Sequence, residues 1–221
     1  MPYTLVGSNV VIVARQFNPS VFSQLWLVRN GIVSEGDFVV GSLYSDEVAK
    51  IETRRFGLLV IPPQLQFQPR VAVEEEAQLV AGTVGAIIRT LPHTPYAAAG
   101  MNFAWHVWSE DGDMHRLSQA LFLRPDGPFS EVFGDCDDAM FGGYFSKDVL
   151  GCRLRLDVKP VDFPSGAGLV QQRLQLAFNF QVGPFGGDAV PVIDEHLHRW
   201  EQLKEESLRI VTQIEPSRGY Q

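Results

Sequence analysis

Cysteine is nearly absent from this chain. Cys136 and Cys152 are the only two in 221 residues, too few for a disulfide framework, so both are expected to be free thiols. No apolar run approaches the roughly 18 residues that a membrane-spanning helix needs, and the first residues lack the basic, apolar, small-residue layout of a secretory signal. A soluble, cytoplasmic protein with no membrane partner is the expectation. The sequence also lacks Gly-x-Ser-x-Gly, a Walker loop, a dinucleotide fingerprint and Cys-x-x-Cys. The usual signatures of acyl transfer, nucleotide binding and dithiol chemistry are therefore missing. Its five histidines, His93, His106, His115, His196 and His198, include no pair at the i, i+4 spacing of a helical zinc motif. No cofactor and no enzymatic turnover are expected.

Positive charge is the next shortage. Lys and Arg number 18 against 26 Asp and Glu, a formal net charge of −8. Residues 1–92 hold 7 basic and 8 acidic side chains, residues 93–221 hold 11 and 18, so the second part carries nearly all the excess. An acidic chain is poorly suited to nonspecific binding of phosphate backbones, which leaves only a local basic patch for that purpose.

Apolar residues, at 45 %, are enough for a core. The chain also repeats itself. Pro2-Tyr3-x3-Gly7-x-Asn9 returns 93 residues later as Pro95-Tyr96-x3-Gly100-x-Asn102. Phe22-Ser23-Gln24 is echoed by Leu117-Ser118-Gln119, Gly41–Val48 by Gly142–Val149, and Gln66-Phe67-Gln68 by Asn179-Phe180-Gln181, in the same order and at growing offsets. A tandem duplication with loop insertions in its second copy accounts for this, with halves 1–92 and 93–221 joined near Pro92–Pro95 and a pseudo-twofold between them.

Each copy reads as strand, short helix, several strands, long helix. Strands are predicted over Leu5–Phe17 and Tyr96–Trp108, rich in branched and aromatic residues. A short helix follows each. The first is capped by Asn18 or Ser20 and stopped at Asn30-Gly31; the second runs from Asp113 to Leu123, ended by the Arg124–Gly127 turn. Further strands are expected over Asp37–Tyr44, Glu47–Thr53 and Arg55–Gln68, the last with a bulge or edge at Pro62-Pro63, and over Ala139–Ser146, Cys152–Lys159 and Leu169–Val182. Leu154, Leu156 and Val158 alternate with Arg153, Arg155, Asp157 and Lys159, and Leu174, Leu176, Phe178 and Phe180 alternate with Arg173, Gln175, Asn179 and Gln181. That pattern demands a sheet with one core face and one wet face, which antiparallel sheets tolerate. Helical stripes over Val73–Leu91 and Ile193–Ile214, the latter around Trp200, are the natural cover for the core face. The fold class is α+β, with helices on one face of an antiparallel sheet.

Two such units in tandem resemble, in element order across nearly the whole chain, the saddle of the TATA-box-binding protein and its relatives, where both halves share one sheet. The resemblance implies an open sheet face that binds DNA and aromatic wedges that kink it. No wedge carries over, because alternation turns Phe67 and Phe180 toward the core. A pair of hot-dog folds is the alternative architecture, disfavoured by the closing helix of each copy.

The acidic loops Glu110–Asp113 and Asp135–Asp138, with His106 or His115 near in sequence, form the richest set of hard-cation ligands, and a metal-dependent hydrolase there is the second alternative. Solvated loops explain them as well, no metal ligand is assigned, and the aspartates beside Cys136 disfavour its thiolate. The Tyr-x3-Gly-x-Asn word is read as a strand-opening constraint, with Gly7 and Gly100 allowing close approach. The candidate site is the wet face: Gln64, Gln66, Gln68 and Arg70 from the first copy, Arg153, Arg155, Lys159, Arg173, Gln175, Asn179 and Gln181 from the second. Amides and guanidinium groups bond equally to a protein surface and to nucleic acid. The leading expectation is a non-enzymatic binding or assembly module that recognises a protein partner through this face or its rim. A nucleic-acid-binding saddle is the first alternative, and self-association into a homo-oligomer stays open.

Overall fold

The computed structural model describes residues 1–109, 112–164 and 170–214. Among them, nine strands form one antiparallel sheet: β1 Tyr3–Ala14, β2 Leu43–Tyr44, β3 Ala49–Glu52, β4 Phe56–Ile61, β5 Gln64–Pro69, β6 Tyr96–Val107, β7 Gly143–Val149, β8 Cys152–Pro164 and β9 Val170–Val182. The helices are α1 Gln24–Arg29, α2 Glu76–Thr90, α3 Met114–Phe122, α4 Pro128–Phe133, α5 Ala189–His198 and α6 Trp200–Gln213. The strand order is β2-β3-β4-β5-β1-β6-β9-β8-β7. The sheet runs without a break through the β1–β6 pair, so the arrangement is one layered α+β sheet rather than two separate hot-dog units.

The repeated words meet at that seam. β1 and β6 run antiparallel with Asn9 opposite Asn102, Ser8 opposite Phe103 and Val10 opposite Met101. Outward from the seam, Val10 faces Phe67 on β5, whereas Phe103, which occupies Val10's place in the repeated word, faces Phe178 on β9. Phe178 thus stands where the sequence match put Phe180, a slip of two residues that leaves both on the same face. β2, paired only with β3, is one edge of the sheet, and β7, paired only with β8, is the other.

Alternation sets the layers as expected. Val10, Ile12, Leu65, Phe67, Met101, Phe103, Leu154, Leu156, Leu176, Phe178 and Phe180 are buried under the helices. The Trp200 ring lies 4.8 Å from Phe103, and Phe103 lies 6.0 Å from Phe180. At their N-termini α1 and α3 are capped by Ser23 and Asp113, each accepting a backbone N–H three residues on. Gly31 takes the left-handed conformation past the end of α1, as its Asn-Gly stop requires.

Four expectations about elements need correction. Arg55–Gln68 is a hairpin rather than one bulged strand. Pro62 and Pro63 form its turn, where missing N–H groups cost nothing, and their carbonyls accept the amides of Phe17 and Ala14 at the end of β1. Asp37–Tyr44 yields only the two-residue β2, because residues 35–37 coil into a single 3-10 turn before Phe38 bridges to Thr53. The last helix breaks at Arg199, whose side chain turns out to bond the Leu150 carbonyl in the tight β7–β8 turn. α4, opening with Pro128 in its first turn, was not expected. The predicted strand start at Leu169 and the loop residues Glu110 and Asp111 lie outside the described residues.

A buried carboxylate locks the helix layer to the seam. Glu76, at the start of α2, accepts the Ser8 hydroxyl of β1 at 3.1 Å and the Trp200 indole N–H of α6 at 3.2 Å, and the Lys204 ammonium lies 3.9 Å away. Only 7 % of Glu76 is exposed, so water cannot replace these partners. Nearby, the Trp105 indole of β6 donates to Ser207 of α6 at 2.9 Å. His196 of α5 donates from Nε2 to the Phe180 carbonyl at 3.0 Å, while its buried Nδ1 has no hydrogen-bond partner among the described residues.

Two outcomes follow from these buried groups. Glu76→Leu strands the Trp200 indole N–H and the Ser8 hydroxyl, while Lys204 keeps its closer pair with Glu201, and is expected to cost about 3 kcal/mol by urea denaturation, whereas Glu76→Gln, which keeps an acceptor, costs less. Burial holds the His196 imidazole below the usual histidine range. The unfolded chain therefore takes up the proton first, and stability present above the ordinary histidine pKa is lost as pH falls from there through the lower value of the folded state. The drop in urea midpoint between pH 7 and pH 5 should shrink in His196→Gln.

Candidate functional site

On the face opposite the helices, the outward residues of β3–β9 and β1 are exposed or half-buried, apart from Gly100 and His106. Here lie all the candidate residues. Gln64, Gln66 and Gln68 sit on β5, with Gln66 between Val11 and Leu59 and Gln68 opposite Gly57. Arg153 and Arg155 of β8 stand opposite Gln181 and Asn179 of β9, and Lys159 stands opposite Gln175. Four inter-strand steps separate β5 from β8, about 19 Å at the usual strand spacing. The structure thus gathers the candidates on one surface and does not converge them into one pocket.

The centre of this surface is a chain of amides. Asn179 donates through Nδ2 to Asn102 Oδ1 at 2.6 Å, and Asn102 donates through Nδ2 to Asn9 Oδ1 at 2.7 Å, so the chain crosses β9, β6 and β1. Gly100 makes room for it: a Cβ there would stand 2.8 Å from Asn179 Nδ2. Gly7 has open space around its Cβ position, so the close approach expected at both glycines holds only at Gly100. Asn9 and Asn102 are the residues that the sequence reading missed. The signal was present, since a word that recurs in two central antiparallel strands sets its own polar residue against its copy.

The cations are in different states. Arg70 lies over Gly57 and pairs with Glu52 at 2.5 Å, and this bond, with Lys50 beside it, holds the Glu52 carboxyl below its usual range. Arg153 pairs with Asp148 at 3.2 Å, both exposed. Arg155 donates to the Gln181 amide oxygen at 2.7 Å. Arg173 is occupied at the far end of the face. Its guanidinium carbon lies 3.9 Å from the Phe163 ring centre and 4.6 Å from that of Trp108, and it donates to Gln171. Gln175 lies 3.4 Å from His106 Nε2, and the Phe163 ring closes edge-on over that imidazole. Burial, with the Arg173 charge, lowers the pKa of His106.

The alternative chemistry is dispersed. Asp135, Asp137 and Asp138 are exposed, His115 Nδ1 meets the Ala139 carbonyl, and His106 is on the sheet. Among the described residues no three His, Cys, Asp or Glu side chains converge as a metal-binding group. Cys152 is buried, which pushes its thiol up to about 11, whereas Cys136 is exposed. Among the described residues no helix is long and apolar enough to cross a membrane.

The rim offers a second surface. β7 ends the sheet with Tyr144 and Phe145 exposed. On the helix side, a groove of about 710 Å³ runs between β7, β8, α3 and α6, lined by Leu121, Phe122, Phe145, Leu156, Ile210 and Ile214 among others.

The sequence matches no protein-family model and no curated protein.

Asn102→Ala breaks both links of the amide chain on a face that water reaches. The expected loss is about 1 kcal/mol with the fold retained, measured by urea denaturation. A loss too small to measure would mean that the chain contributes nothing to the seam.

Proposed function

We propose that this protein is a non-enzymatic binding or assembly module that takes a protein partner on its open sheet face or along the β7 rim. The observation that carries the reading is a broad, uncovered sheet face built from amides, small residues and guanidinium groups, backed by a rigid helix layer. Such a face offers hydrogen-bond donors and acceptors of the kind found at protein interfaces, and among the described residues no acid, base and nucleophile converge on it. The exposed edge strand adds unpaired backbone groups, the usual template for strand addition or for pairing with a second copy.

The order of strands outward from β1 and β6, with matching asparagines opposed at the seam, supports a saddle of the TATA-box-binding type with halves 1–92 and 93–221. The cations of the face lend support to a nucleic-acid reading as well. Against DNA kinking of that family's kind stand Phe67 and Phe180, both fully buried beneath the helices.

A photo-crosslinking amino acid placed at Gln66 on the open face is expected to capture a protein in host extract, and one at Glu205 of α6 is not. Equal capture from both positions, or only nucleic acid from Gln66, refutes the reading.

A further inference from the structure

The charge on the open face runs against the charge of the chain. The protein carries −8 overall, yet the outward side of β8 presents Arg153, Arg155, Asp157 and Lys159, all exposed. Arg153 is spent on Asp148, an exposed pair of small worth. Arg155 is bonded to a neutral amide, so its charge is uncompensated there. Lys159 has no ion pair among the described residues. Beside them on β9, Asn179 uses its Nδ2 in the amide chain and Gln181 uses its oxygen on Arg155, leaving the Asn179 oxygen and the Gln181 amino group for an incoming backbone.

We propose that β8 and β9 form a track for an extended, acidic protein segment that lies on the open face, with Arg155 and Lys159 binding its carboxylates and Asn179 and Gln181 its backbone. The proposal rests on the open-face reading above and specifies its partner. Charge complementarity selects the sign of the occupant. From Arg153 to Lys159 the strand spans about 20 Å, the length of six or seven extended residues. β8 is paired on both sides, by β7 and β9, so the segment is held by side chains and adds no strand.

The same surface fits nucleic acid less well. Single strands are held by successive bases stacked on aromatic rings, but Phe103, Phe178 and Phe180 are buried on the opposite face and Trp108 and Phe163 already flank Arg173, which leaves the exposed Tyr144, opposite Asp157, as a lone ring beside these cations among the described residues. Asp157 interrupts the run of cations that a phosphate backbone would follow. It suits a peptide, whose carboxylates can be spaced to avoid it.

The test is fluorescence anisotropy on the full chain with four labelled probes: a ten-residue Glu/Ser peptide, its Lys/Ser counterpart, a 15-nucleotide single strand and a 15-base-pair duplex. At 50 mM NaCl the acidic peptide is expected to bind, the basic one not, and binding should weaken at 300 mM. Arg155→Gln with Lys159→Gln should weaken it at least tenfold, while Arg209→Gln on the helix layer leaves it unchanged. Absence of acidic-peptide binding at 50 mM, binding that survives the double variant, or tighter binding of either oligonucleotide overturns the proposal. Protein capture from Gln66 that persists in the double variant would retain the open-face reading while the acidic track is lost; loss of capture from Gln66 in the unaltered chain would remove that reading itself.

Discussion

Everything in this molecule hangs on the pairing of β1 with β6. β1 is otherwise bordered by β5 and β6 by β9, and without each other both would expose a long row of backbone donors and acceptors. Joined, they turn two small sheets into one and bury Val10, Ile12, Met101 and Phe103 in a single layer. The helix layer repeats the junction above the seam. Glu76 belongs to the first half, Trp200 and Lys204 to the second, and the carboxylate meets both beside Ser8. A buried charge of this kind is a costly way to gain stability but an effective way to fix which surfaces meet, and here it sets how α2 and α6 sit over the central strands.

The open face is the consequence of that geometry. Most of the large apolar side chains of β5, β6, β8 and β9 are drawn under the helices by alternation, Phe163 beside His106 and Arg173 being an exception, so the other side is left mainly with amides, small residues and charges. The first and second halves contribute unequally. β5 supplies glutamines, while β8 supplies most of the cations, and the guanidinium of Arg70 is tied to Glu52. The surface is thus neutral and amide-rich toward one side and basic toward the other, on a protein whose overall charge is negative.

Much of this architecture was legible in the sequence, and the reasons are physical. Alternation over Arg153–Lys159 and Arg173–Gln181 is a direct record of one wet and one dry face, and it placed every candidate residue on the correct side. Caps at Ser23 and Asp113 are local chemistry, yet neither was anticipated as a cap: Asp113 was expected as the first residue of its helix, and α1 begins after a 3-10 turn that Asn18 and Pro19 open. What escaped were features decided by partners distant in the chain. A Pro-Pro pair reads equally as a bulge or a turn until the end of β1 arrives to bond its carbonyls. The helix stripe runs on through Arg199 and gives no hint that this side chain is needed at the β7–β8 turn. Arg173 counts as a free cation in any linear reading, and only the long β8–β9 hairpin brings Phe163 to it, opposite Trp108.

The amide chain at the seam has a direction. Strands opposed across matching residues have none of their own, because turning the pair by half a revolution exchanges β1 with β6 and leaves the backbone pattern unchanged. The hydrogen bonds do not share that equivalence: Asn179 and Asn102 each donate an N–H toward β1, and the chain ends in the amino group of Asn9 and the carbonyl oxygen of Asn179. The middle of the sheet therefore carries a side-chain donor toward β1 and an acceptor toward β9, an asymmetry that the backbone pairing of β1 with β6 does not have.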